Sequence, residues 1–248
     1  MRTIRLSTVG GVCAILTVVC FVLGGAAMAA SGVPTLIPET GRSGLDWIAD
    51  VDGAGGLFFT GAWLIVLMGF LGIVALVGFY DVLRPAGPVM ILAPILAVVG
   101  LTLVTVSHLI PIALAYELVP AYVRADPTGQ ATLGAAADTF AATAQVTNAA
   151  GNFLGWGVVV PMYAAAILIT RALPRWIGWL GLVVGFLAGW LGLLAPASPV
   201  IANVSSLGFI GFFVFLLAMG IALLRRRPKA AGQGTDQITT GDLTRPVD

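Results

Sequence analysis

Charge is what this sequence has least of. Of 248 residues, 9% are Asp, Glu, Lys or Arg, where a soluble domain carries roughly 25%. A globule with so little charge would present apolar surface to water and aggregate, so a soluble fold is excluded. Lysine is nearly absent: the single one is Lys229, beyond the last apolar run, which excludes a retinal Schiff base within a helix. Two cysteines are present, Cys13 and Cys20, both in the first apolar run. They share one helical face but lie too far apart along it to bridge, so no disulfide or metal framework follows. A single histidine, His108, leaves haem without the usual second axial ligand and zinc without partners at ligand spacing. No H-E-x-x-H, G-x-S-x-G or phosphate-loop pattern occurs. No acid lies deep within an apolar run, which argues against an ordinary proton-coupled carrier. Paired aspartates that would hold magnesium for a prenyl-diphosphate transferase are missing from the cytoplasmic side. Neither a cofactor nor a metal is expected. Nucleic acid is excluded as a partner, because the only basic run, Arg225–Lys229, is short.

What the sequence has in abundance is apolar length. The chain is 59% hydrophobic, with a mean hydropathy of +1.03. A membrane-spanning helix needs about 20 mostly apolar residues, and six runs qualify: 7–30, 56–80, 89–116, 150–170, 176–195 and 200–224. They are apolar all round, without the alternation of barrel strands, and lipid offers the backbone no hydrogen bonds, so each is read as a helix. The expected fold is an all-α bundle of six spans. Lys and Arg set the orientation. With the N-terminus inside, Arg2, Arg5, Arg84, Arg171, Arg175, Arg225, Arg226, Arg227, Lys229 and Arg245 are cytoplasmic, and only Arg42 and Arg124 are outside. Both termini are then cytoplasmic. Residues 1–224 form the transmembrane domain, with outer loops 31–55 and 117–148, and 225–248 form a cytoplasmic, disordered tail. The first run also resembles a signal peptide with an A-x-A site at Ala27–Ala29. Its apolar stretch is long for that role, and a retained helix is expected.

Turn chemistry refines the loops. Ser43 with Asp46 three residues on matches a capping box; a short helix there is expected to lay Trp47 and Ile48 on the membrane surface. "ADPTG" at Ala125–Gly129 reads as a helix start, with Asp126 as cap and Pro127 at the first position. No strong breaker follows until Pro161, so the fourth helix is expected to begin outside the membrane and run in. In "DVDG", Asp50 and Asp52 resemble only the start of a calcium loop, whose other ligands are missing.

Three groupings carry the candidate residues. Thr102, Thr105 and His108 lie near one face of the third helix, where Pro111 frees the Ser107 carbonyl. The bland reading is a neutral, hydrogen-bonded imidazole; the sharp one is a proton relay or ligand. Asp138, Gln145, Asn148 and Asn152 share one face of the fourth helix. Read blandly they are interhelical glue; read sharply they line a vestibule, with His108 and Asn152 facing each other if the third and fourth helices are neighbours. Gly181, Gly185 and Gly189, four apart in "GLVVGFLAG", mark a close helix approach within the chain or between copies. The expected partners are membrane lipids, with a homo-oligomer as the other possibility.

"RALPRWIGWLGLVVG", Arg171–Gly185, resembles the Leu-Pro-Arg-x-x-Gly box between the fourth and fifth helices of a bacterial, actinobacterial-type six-helix membrane family of unknown function. "DPTGQ" and the long fourth helix fit the same group, and the resemblance covers 80–227. It implies an architecture and no activity. The preferred expectation is an accessory or structural envelope protein of the plasma membrane rather than an enzyme. The alternatives are a small oligomeric transporter or channel around His108 and Asn152, and a lipid-modifying enzyme. A closed bundle favours the first, a continuous polar cavity the second, and a side-opening polar groove at one leaflet the third.

Overall fold

A computed structural model describes residues 5–33, 35–37 and 43–226. Among them are six helices long and apolar enough to span: α1 (Leu6–Ala30), α2 (Gly44–Ala86), α3 (Pro88–Arg124), α4 (Pro127–Thr170), α5 (Arg175–Ala197) and α6 (Pro199–Arg225). No strand occurs among the described residues. The expected tail lies outside the described residues from position 227 on, as do Arg2, Arg42, Lys229 and Arg245 of the charge pattern.

Three helices outrun the membrane. α4 has 44 residues and at about 1.5 Å per residue is about 66 Å long, twice the roughly 30 Å of hydrocarbon. The start of α2, the end of α3 and the start of α4 project at the same end. Local chemistry starts them as the sequence implies. Ser43 caps α2 by accepting from the Asp46 amide at 3.1 Å, and Asp126 caps α4 by accepting from the Gly129 amide at 2.7 Å. α2 bends at Gly55, whose φ of 58° is open to a residue without Cβ. Residues 44–55 and most of 117–148 are therefore helical.

Together these extensions form a cap with its own core. Trp47 and Ile48 are both 0% exposed and cluster with Phe58, Ile112, Ala115 and Ala137. This corrects the expectation that they lie on the membrane surface. The cause is the extension of α4, which stands beside the first turns of α2 and covers them: a Cβ on Gly44 would lie 2.8 Å from that of Ala137.

Within the spans, small residues set the spacing. α1 buries Gly10, Gly11, Ala14, Thr17 and Gly24. A Cβ on Gly10 would lie 2.7 Å from the Cα of Gly78 on α2, and one on Gly11 would lie 3.1 Å from the Gly220 carbonyl on α6. α1 is thus packed on both neighbours. α4 turns into α5 through Arg171, the one non-glycine residue of positive φ among the described residues (52°). Leu173 is buried behind that turn, and Gly178 lets α5 approach the Ala164 carbonyl. A second core of Leu76, Phe79, Tyr163, Ile167, Phe215 and Leu216 fills the other half of the bundle.

Candidate functional site

α4 carries the polar stripe from the cap into the spans, and its members do different work. Asp138 is a clamp: one carboxylate oxygen accepts from the Gly44 amide at 2.6 Å, tying the start of α2 to α4. Gln145, Asn148 and Asn152 lie further down and line a cavity of about 410 Å³ together with Trp156, Leu193 and Ser205. Ile37 and Pro196 also border it, which puts it at the capped end of the bundle, between α4, α5 and α6. Its lining includes two amide asparagines, a glutamine, an indole and a hydroxyl, with no acid, base or thiol among the described residues.

Two lining groups lack partners. The side-chain oxygen of Asn152 and the indole N–H of Trp156 are buried without a hydrogen bond among the described residues. Each such group costs about 1–3 kcal/mol until something satisfies it. The Trp156 ring is held in place against Phe209 and Phe212, with centroids 5.1 and 5.3 Å away.

The base of the cavity is built from irregular helix. Phe153–Val159 of α4 and Gly185–Trp190 of α5 are π-helical, a geometry frequent at functional sites. Pro161 has no N–H to return to the Gly157 carbonyl. Trp190 Nε1 donates to that carbonyl at 3.1 Å from the facing helix. The glycine ladder makes this possible. Gly189 packs on the backbone of Gly157, Gly185 on Pro161, and a Cβ on Gly181 would lie 2.9 Å from that of Ala164. The three glycines therefore contact α4 of the same chain, and Gly181 also meets Phe215 of α6.

His108 stands apart from the cavity. α3 meets α4 through Gly100 and Val104, which abut Gly151. Ser107 Oγ is 2.6 Å from the Val104 carbonyl and 3.3 Å from the Asn148 side-chain oxygen. The hydroxyl has one proton, so the shorter bond takes it and the Asn148 contact is the weaker. Thr105 donates to the Leu101 carbonyl at 2.7 Å and fills the space over Gly69 of α2. His108, three residues on, shares that side of α3. It is half-buried and is not a wall of the cavity. Thr102 is exposed. α3 and α4 are neighbours, and of Asn152 and His108 only Asn152 lines the cavity. Trp156 and Ser205 complete the site, and sequence reasoning missed both. The usable signal for Trp156 was its position four residues after Asn152, on the face of the polar stripe.

The cavity does not run through the chain. A second one, of about 690 Å³, opens at the opposite end beside Arg5, Asp81, Arg84 and Arg226. Solid core separates them: Leu76, Phe79, Tyr163 and Phe215 are fully buried, and Tyr163 Oη donates to the Leu76 carbonyl at 2.6 Å.

Six helices long and apolar enough to span, three of them lining a one-ended cavity, define an all-helical, multi-pass membrane protein. The chain belongs to the family described as Domain of unknown function (DUF4386), whose pattern matches residues 10–220. No curated protein and no solved structure matches it.

Proposed function

We propose that this is a bacterial plasma-membrane protein with both termini in the cytoplasm, whose accessory role in the envelope is to hold a polar or amphiphilic ligand in the cavity at the capped, outer end. The observation that carries this is the cavity's lining: it has hydrogen-bonding groups suited to holding a molecule and, among the described residues, no acid or base that could do general acid–base work or activate the Ser205 hydroxyl. A lipid-modifying enzyme is disfavoured on the same ground. A transporter is the second reading, supported by the facing π segments at the cavity base, whose backbone bonds are open to rearrangement.

The orientation rests on the excess of arginine at the end holding Arg5, Arg84, Arg171, Arg175, Arg225 and Arg226. Alkaline phosphatase fused after Arg226 is expected to be inactive, and green fluorescent protein there fluorescent. The opposite pair of results reverses the topology.

The binding role is tested by complementing a deletion strain whose lipids and metabolites are compared with its parent. Asn152→Leu is expected to accumulate in the membrane and fail to restore the profile, because it fills a wall of the cavity with an apolar group. His108→Gln keeps a hydrogen-bonding group outside the cavity and is expected to restore it. Full restoration by Asn152→Leu ends the binding role. A folded but failing His108→Gln puts a relay, and with it the transporter reading, first.

A further inference from the structure

The two orphan groups of the cavity are complementary in kind. Asn152 Oδ1 accepts, Trp156 Nε1 donates, and both are buried without a partner among the described residues. Four residues apart, they stand one turn from each other on the same face of α4. Trp156 is 9% exposed, and its packing against the tilted rings of Phe209 and Phe212 keeps the N–H from turning out to solvent. By contrast, Trp190 at the cavity base uses its own N–H on the Gly157 carbonyl.

A hydroxyl group can both donate, as Asn152 Oδ1 requires, and accept, as Trp156 Nε1 requires. A charged head does not fit. Among the described residues no Arg, Lys, His, Asp or Glu lines the cavity, so against this lining a phosphate, carboxylate or ammonium would lose its water without gaining a counter-charge. The walls also have an apolar side. Phe153 and Leu193 line the cavity, and Leu193 is 45% exposed, so this wall is continuous with the lipid-facing surface. The volume of about 410 Å³ falls within the range of ligand pockets, about 300–1,000 Å³.

We infer that the cavity takes the uncharged, hydroxyl-bearing head of one amphiphile of the outer leaflet, held between Asn152 and Trp156, with its alkyl chain leaving past Leu193. This rests on the binding role proposed above and names the ligand class.

The test uses the full chain in lauryldimethylamine oxide, a detergent whose head has no hydroxyl. It is titrated with 1-monooleoylglycerol, and binding is followed by native mass spectrometry. One equivalent is expected to bind. Trp156→Phe retains the ring packing and loses the N–H, and Asn152→Ala loses the acceptor. Each is expected to weaken binding about tenfold, the effect of one well-made hydrogen bond, with melting temperatures measured alongside to show that both remain folded. If one variant does not fold, the other decides. Absence of monooleoylglycerol binding, or unchanged affinity in the folded variants, overturns the inference. Free glycerol bound as tightly overturns the lipid assignment. Monooleoyl phosphatidic acid bound more tightly through the same two residues overturns the requirement for a neutral head and leaves the binding role standing, whereas complementation by Asn152→Leu removes that role itself.

Discussion

Gly189→Ala, a change of one methyl group, is expected to cost about 3 kcal/mol or more, at the upper end of overpacking effects. The new Cβ meets the Cα and N of Gly157 on α4 and comes 3.1 Å from the carbonyl carbon of Trp156. These are backbone atoms, and no rotamer change clears them. α4 and α5 must separate, which also breaks the Trp190–Gly157 hydrogen bond and opens the cavity base. Gly185→Leu acts in the same direction, against the Pro161 ring. Gly25→Ala is the control, since nothing lies within 4 Å of its added Cβ. Size-exclusion profiles and melting temperatures in detergent compare the three. The Gly189 variant is expected to melt roughly 6–12 °C lower, at about 2–4 °C per kcal/mol for a chain of this size, and the Gly25 variant with the wild type. An unchanged Gly189→Ala would mean that the ladder looks at lipid.

Trp47→Ala should be of similar size, about 3–5 kcal/mol for a fully buried Trp, but local in its effect. Trp47 is 0% exposed, and its ring lies edge-on to Phe58 at 6.2 Å. Its removal empties the centre of the cap, whose helices are held there by this cluster and by the Asp138–Gly44 bond. The spans rest on a separate core and are expected to persist. Limited proteolysis should then cut the first turns of α2 and the start of α4 in the variant and spare them in the wild type. Trp47→Phe is expected to be nearly neutral: the aromatic volume is largely kept, and the N–H it gives up has no partner among the described residues. Wild-type protection in Trp47→Ala would put Trp47 back on the membrane surface.

Trp47 also shows where reading the sequence stops. Ser43 and Asp126 were recognisable as caps because a cap is made within four residues of chain. A Trp beside the membrane has two good environments, the lipid interface and a protein core, and they look alike in sequence. The decision came from α4, whose alanine-rich first half stands outside the membrane and roofs over Trp47. The same is true of Asp138, read as the top of a polar stripe and used as a tie to an amide 94 positions earlier in the chain.

The six spans were determined by the sequence alone, because lipid gives the backbone no partner and an apolar run of sufficient length has one low-energy form, the helix. So was the close approach at Gly181, Gly185 and Gly189, since a helix face without Cβ atoms has that use in lipid. How each helix is turned was decided only by tertiary structure. In water the apolar stripe of a helix marks its inward face; in a bilayer both faces are apolar, and hydrophobicity does not choose between them. Small steric features and a few polar contacts choose instead: Gly100 and Val104 against Gly151, Thr105 over Gly69, Gly157 against Gly189. Those contacts turn Asn152 and Trp156 into the cavity and His108 away from it, although the sequence had marked the histidine and the asparagine with equal strength.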